Sequence, residues 1–244
     1  MLILPDKKEA IHKAWLYRVL EAIADDDYLP RVVYFKGGTC ASMLGWLDRF
    51  SVDLDFDYAG SGEDIPKTRF RLEKIFTRLG LSIKDSSKRG IQYFLGYENV
   101  GRNTLRFDSL FPLLTANTYT PQRLPDIDRI LTCQTKETMV AHKLLALIGR
   151  FEDTGHSAGR DIYDIHFFFL NGYGYNTNVI LEARGVSVKK FLTELVDFVE
   201  REVTDRMIAE DLNPLLPYAR FSRLRKVLKR EVIGLMNDEI KRLE

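Results

Sequence analysis

The sequence predicts an α+β protein, with a mixed sheet flanked by helices in its N-terminal half and a mainly helical C-terminal half. Three observations predict it. Short apolar runs and polar–apolar alternation recur through roughly the first 110 residues, interleaved with helix-period stretches. From about residue 135 onward the apolar spacing is almost wholly helical. Between them lies TANTYTPQRLPDID (115–128), whose two prolines and turn-forming residues read as a connecting loop. The expected domains are therefore 1–118 and 119–244.

The elements follow in order. Ile11, Ala14, Trp15, Val19 and Ile23 recur near a 3.6-residue period and predict a helix over 7–24. The apolar run Val32 to Phe35 reads as a strand. Gly37-Gly38-Thr39 turns from it into a helix carrying Met43, Leu44 and Leu47. Residues 51–58 alternate as a strand, and a helix near 64–79 is stopped by Gly80. Further strands are expected at 81–84, 91–97 and 104–108. Helices are expected at 135–152, 161–170, 187–203, 205–212 and 218–243.

Apolar residues make up 45% of the 244-residue chain and charged residues 29%, an ordinary globular composition with enough length for a real core. The net charge of +1 creates no overall field for nucleic acid, so any such contact needs a local basic patch. Cys40 and Cys133 lack paired zinc-ligand spacing and suit a reducing compartment. The first residues do not read as a signal peptide, and no membrane-length apolar run occurs. A cytoplasmic protein without a membrane partner is expected.

The most informative segment is Ser51-Val52-Asp53-Leu54-Asp55-Phe56-Asp57-Tyr58. In a strand, Val52, Leu54, Phe56 and Tyr58 share one face, while Ser51, Asp53, Asp55 and Asp57 share the other. Carboxylates two residues apart lie about 7 Å from each other and repel, and Asp is a poor strand former. Asp53 and Asp55 could share a Mg²⁺ ion through hard oxygen ligands, or the face could simply be solvated. The turn before it, Lys36-Gly37-Gly38-Thr39, opens a helix whose free N–H groups suit a phosphate. Thr39 could cap that helix or hold a phosphate oxygen.

KGGT followed by RFSVDLDFD resembles the first motif of the nucleotidyltransferase superfamily with a DNA-polymerase-β-like catalytic fold. More narrowly it resembles the AbiEii/AbiGii abortive-infection toxin branch, where Gly-Gly-Thr, a helix and Arg-x-Ser-x-Asp-x-Asp run in that order. Arg49, Ser51, Asp53 and Asp55 fill the second part. The resemblance implies a nucleotidyltransferase-like sheet, with Lys36, Gly37, Gly38, Thr39, Arg49 and Ser51 binding a nucleoside triphosphate. It also implies a third acidic ligand from a later strand. Asp108 in Thr104-Leu105-Arg106-Phe107-Asp108 is the candidate, although it could instead end its strand paired with Arg106.

On the 135–152 helix, Lys143 has Met139, Val140, Ala146 and Leu147 as its neighbours three and four residues away. A lysine rarely sits in such a stripe without a charged partner; it either snorkels its stem to solvent or reaches a triphosphate, whose charge it would steady. Arg150 lies on the same line. Asp161 and Asp164 share one face at the start of the next helix, where acidic groups also complement the helix dipole. The run AHKLLALIGRFEDTGHSAGRDIYDIHFF further resembles the toxin family's downstream motifs. This implies roles for Lys143 and Asp161 in activity, with Arg150 and Asp164 beside them at the substrate. Asp161 would orient Lys143 or the acceptor, or act as a base. Arg160, where lysine is commoner, and Cys40-Ala41-Ser42 depart from the pattern and leave the donor base open.

Arg220, Arg223, Arg225, Lys226, Lys229 and Arg230 crowd the last expected helix, either as a solvated face or as a contact for an RNA backbone. His142, His156 and His166 have no telling partner spacing. The expected activity is Mg²⁺-dependent transfer of a nucleoside monophosphate to a tRNA or protein, by a toxin with a cognate antitoxin. The alternatives are a non-catalytic binding module of the same fold and a small-molecule nucleotidyltransferase of aminoglycoside type.

Overall fold

The computed structural model describes residues 7–97, 103–155, 159–213 and 215–243. His156 lies outside them. The chain forms two compact units, one of residues 1–113 and 118–135, the other of residues 114–117 and 136–244.

The first unit is built on seven strands: β1 (Val33–Lys36), β2 (Asp53–Tyr58), β3 (Ser82–Ser86), β4 (Ile91–Gly96), β5 (Thr104–Leu110), β6 (Tyr119–Leu124) and β7 (Arg129–Gln134). Their order in the sheet is β3-β4-β5-β2-β1-β7-β6, with β2 parallel to β5, β1 parallel to β7 and the other neighbours antiparallel. Three helices complete the unit: α1 (Lys7–Ala24), α2 (Gly37–Met43) and α3 (Ile65–Arg78). α1 matches the expected 7–24 span.

Alternation gives the sheet one apolar face. Phe56 lies between Phe35 and Phe107, at 5.3 and 4.8 Å between ring centroids, and Phe76 of α3 meets Phe107 and Tyr93 edge-on. These rings are fully buried and make an aromatic core beneath α3. The opposite face carries the polar residues of β1, β2, β4 and β5.

The expected connecting loop is corrected here, because Tyr119–Leu124 within it is a strand. Pro121 cannot donate to a ladder, but β6 is an edge strand and tolerates it. β6 and β7 form a hairpin whose turn holds Asp128 at φ +50°.

The second unit is helical: α4 (Lys136–Thr154), α5 (Gly159–Leu170), α6 (Thr177–Arg184), α7 (Val188–Glu202), α8 (Asp205–Leu212), α9 (Tyr218–Leu224) and α10 (Leu228–Arg242). Side chains at the N-caps of α6, α7 and α8 accept from the first turns: Asn176 from Asn178 N, Ser187 from Lys190 N, and Thr204 from Met207 N. The single helix expected over 218–243 is broken between Leu224 and Leu228, with Phe221 and Leu228 both buried. Among the described residues no helix is long and apolar enough to cross a membrane.

Candidate functional site

The polar face of the sheet gathers the motif residues of the first unit. Lys36 stands opposite Asp55 across the antiparallel β1–β2 pair, and Asp108 stands opposite Asp55 across the parallel β2–β5 pair. Asp53 faces Arg106 in that register. Partners in register project to the same side, so Asp53, Asp55 and Asp108 share one surface. Asp108 accepts from Arg106 Nη2 and, at 3.3 Å, from Gln92 Nε2. Among the described residues no three acidic, histidine or cysteine side chains converge as a preformed metal site.

The glycine turn serves this surface directly. Gly37 takes φ +78°, and a Cβ on it would sit 2.5 Å from Asp55 Oδ2. A Cβ on Gly38 would sit 2.8 Å from Ser51 Oγ and 3.3 Å from an Arg49 Nη atom. Thr39 makes no side-chain cap for α2; its hydroxyl donates to the Asp53 carbonyl at 2.5 Å and fastens the start of β2. The Arg49 side chain is buried and donates to the Phe50 carbonyl at 3.0 Å.

β2 begins at Asp53 rather than at Ser51. Just before it, His12 Nε2 donates to the Val52 carbonyl at 2.7 Å, and its Nδ1 shares a hydrogen bond with the Tyr97 hydroxyl at 2.5 Å. His12 is buried on α1 and holds the main chain one residue before Asp53. Sequence reasoning passed it over, and its signal was a histidine on the buried stripe that includes Val19 and Ile23.

The third aspartate of the strand plays a different part. Asp57 is fully buried, pairs with Lys36 Nζ at 2.5 Å, and accepts from Tyr119 O–H at 2.8 Å and from Gln134 Nε2. Lys36, expected at a phosphate, thus neutralises a buried carboxylate within the sheet. Beside the glycine turn is a cavity of about 350 Å³. Thr39, Arg49 and Ser51 line it together with Lys13, Tyr17 and Asp126. The carboxylates of Asp53 and Asp55 do not.

The second unit brings together the other motif. Lys143 Nζ lies 3.0 Å from Asp161 Oδ1 and 2.9 Å from Asp164 Oδ2, and Arg150 Nε lies 3.3 Å from Asp161 Oδ2. Both carboxylates are fully buried while Lys143 and Arg150 retain some exposure. Burial works to raise the Asp161 pKa, but Lys143, Arg150 and Arg160 together hold it below the usual carboxylate value. Asp161 is therefore ionised at neutral pH and poorly suited to accept a proton.

The N-terminus of α5 is fastened by Asp211 of α8, which accepts from Gly159 N at 2.6 Å. The rings of His142 and His166 are engaged structurally, with Asn117 Oδ1 and Glu231 Oε2, each at 2.7 Å.

Two solved structures from Helicobacter pylori are similar to this chain. A proposed nucleotidyltransferase is 17% identical with a TM-score of 0.59, over 98% of this chain and 99% of that one. JHP933 is 15% identical with a TM-score of 0.52, over 98% of each chain. At these identities the likeness speaks for the fold. No curated protein matches the sequence. The profile of the family described as nucleotidyl transferase AbiEii toxin, type IV TA system, matches residues 16–225. That span takes in the Gly-Gly-Thr turn, the Asp-x-Asp strand and the Lys143–Asp161 cluster, and the chain belongs to the AbiEii family of nucleotidyl transferase toxins of type IV toxin–antitoxin systems.

Proposed function

We propose that the protein transfers a nucleoside monophosphate from a nucleoside triphosphate to a hydroxyl of an RNA or protein acceptor, with Mg²⁺ held by Asp53 and Asp55. The observation that carries this reading is the clearance of Gly37 around Asp55: a glycine at positive φ, with no Cβ, leaves room for a carboxylate in register with Asp108. The donor set suits Mg²⁺, being hard carboxylate oxygens on a rigid strand. Asp108 is the third ligand in this reading and must leave Arg106 to serve. When bound, the ion would neutralise the carboxylates and polarise phosphate oxygens.

The chain's own residues supply the rest. His12 and Thr39 fix the carbonyls of Val52 and Asp53, which sets the aim of both carboxylates. Arg106 Nε is buried with no hydrogen-bond partner among the described residues, so its guanidinium gains by turning to an anionic ligand. Gly38, Thr39 and Ser51 border the triphosphate. Asp161 and Asp164 hold Lys143 in place by ion pairs, and in this reading the Lys143–Asp161 cluster of the second unit also contributes to activity. The acceptor oxygen attacks the α-phosphorus in line and passes its proton to bulk water, while the bond to the bridging oxygen breaks and pyrophosphate departs. A cognate antitoxin is the expected partner.

The test is incubation with each α-³²P-labelled triphosphate, Mg²⁺ and total RNA or protein, alongside the D53A/D55A double variant. Label that appears on an acceptor and vanishes in the double variant supports the reading and identifies donor and acceptor class. Absence of both label and pyrophosphate release with every donor would favour a non-catalytic binding module.

A further inference from the structure

Residues 217–230, PYARFSRLRKVLKR, hold six cations and no carboxylate, in a chain whose net charge is +1. The break between α9 and α10 folds this stretch into a corner. Three of the cations are engaged. Arg220 lies over the Tyr163 ring at 5.6 Å, Arg225 over Phe221 at 5.5 Å, and Lys229 Nζ donates to the Glu200 carbonyl at 3.0 Å. Arg223, Lys226 and Arg230 are exposed, and among the described residues no carboxylate lies within ion-pairing distance of them. Tyr218, at the start of α9, is 78% exposed.

We propose that this corner binds the phosphodiester backbone of an RNA, with Tyr218 as a platform on which an unpaired base stacks. Exposed cations that pair with no carboxylate among the described residues complement a polyanion and release its counterions on contact. An exposed aromatic ring among them suits a nucleobase, and base stacking on such rings is the usual mode for unpaired RNA. An acidic protein would engage the cations equally well but has no comparable use for Tyr218. The corner is also tied to the candidate site of its own unit. Arg220 packs on Tyr163, which lies on α5 two residues after Asp161. The inference rests on the transferase reading for the view that this RNA is the acceptor.

The experiment measures binding of bulk tRNA by the full chain without triphosphate, across about 50–200 mM salt. The variant R223Q/K226Q/R230Q should bind roughly 10- to 100-fold more weakly and flatten the slope of log affinity against log salt by about 2–3. Tyr218→Ala should weaken binding about tenfold with the slope unchanged. The charge-preserving R223K/K226R variant should keep the wild-type slope of log affinity against log salt, which separates loss of charge from loss of fold. Unchanged affinity and slope in the triple variant would overturn the proposal. So would polyglutamate of matched charge competing as well as tRNA, which would make the corner a surface for an acidic protein. Transfer to RNA undisturbed in the triple variant removes this surface and leaves the transferase reading standing. Intact tRNA binding with no transfer to any acceptor does the reverse.

Discussion

Gly37 and Asp55 are packed so that position 37 has no room for a side chain: the nearest carboxylate oxygen would lie 2.5 Å from a Cβ. The same residue sits at φ +78°, where a β-carbon is strained in any surroundings. Gly37→Ala should therefore displace Asp55 as well as strain the backbone. The expected result is a loss of about 1–3 kcal/mol of stability together with a much larger proportional loss of nucleotide transfer. Denaturant midpoints and transfer rates measured on one preparation check both.

Asp57 and Asp53 stand on one strand face but should respond oppositely to truncation. Asp57→Ala leaves Lys36 without its buried partner, and breaking such a pair costs about 3–5 kcal/mol. Asp53→Ala removes a half-buried carboxylate that neighbours another, so stability should change by less than about 1 kcal/mol while transfer is abolished. Urea unfolding beside the radiolabel assay separates the two. Similar stability losses in both variants would contradict the assignment of Asp57 as structural.

Lys143 is the counter-ion of two fully buried carboxylates. Lys143→Met should destabilise the protein by about 3–5 kcal/mol and lift the Asp161 pKa, since the opposing charge next to it is gone. A Lys143→Arg variant, which keeps the charge, should recover much of the stability. Chemical denaturation of the three proteins tests this.

The acid limb of stability should carry the signature of Asp161. Its folded pKa lies below the ordinary 3.8, so its ionised form contributes stability above that value. The contribution is lost as the pH falls through the lower folded value. The stability advantage of wild type over Asp161→Asn should thus be constant at neutral pH and shrink below about pH 4. A gap that stays constant down to pH 2 would contradict the buried ion pair.

Gly159 opens α5, and a Cβ there would lie 2.7 Å from both Ile208 Cα and Met207 O. Backbone cannot give way as a flexible side chain does, so Gly159→Ala should cost about 1–3 kcal/mol. Asp211→Ala, which deprives Gly159 N of its charged acceptor, should cost about 1.5–3 kcal/mol. Asp211→Asn should restore part of that loss. Thermal melts of the three variants check the ranking.

Periodicity marked α1, α3, α7 and α8 closely because each buries one stripe along its own length. It missed α6, whose eight residues are too few for a period, although Asn176 and Gly185 (φ +65°) mark its two ends. The β6–β7 hairpin was hidden for another reason. Pro121 and the polar residues around it read locally as a loop, and β7 pairs on its other side with β1, far away in the chain. The break after Leu224 contains neither Gly nor Pro, so packing of Phe221 and Leu228 sets it rather than propensity. At the candidate site, alternation correctly placed Asp53, Asp55 and Asp57 on one face. It could not single out the buried one, because the groups that hold Asp57 come from β1, β6 and β7. Likewise, the spacing in α4 marked Lys143 as needing a partner, and Asp161 and Asp164 supply it.

Because Phe35 of β1 pairs with Cys133 of β7, one flank of β1 stays open until residue 133 has been made. A nascent chain on the ribosome can form β2 against β1 well before that. It nevertheless displays the unsatisfied main-chain groups of β1, an invitation to pairing with other chains. Loop closure over such a sequence separation is also slow. Ribosome-bound chains ending near residue 125 should accordingly need chaperone cover, whereas chains a few tens of residues longer should have lost that need.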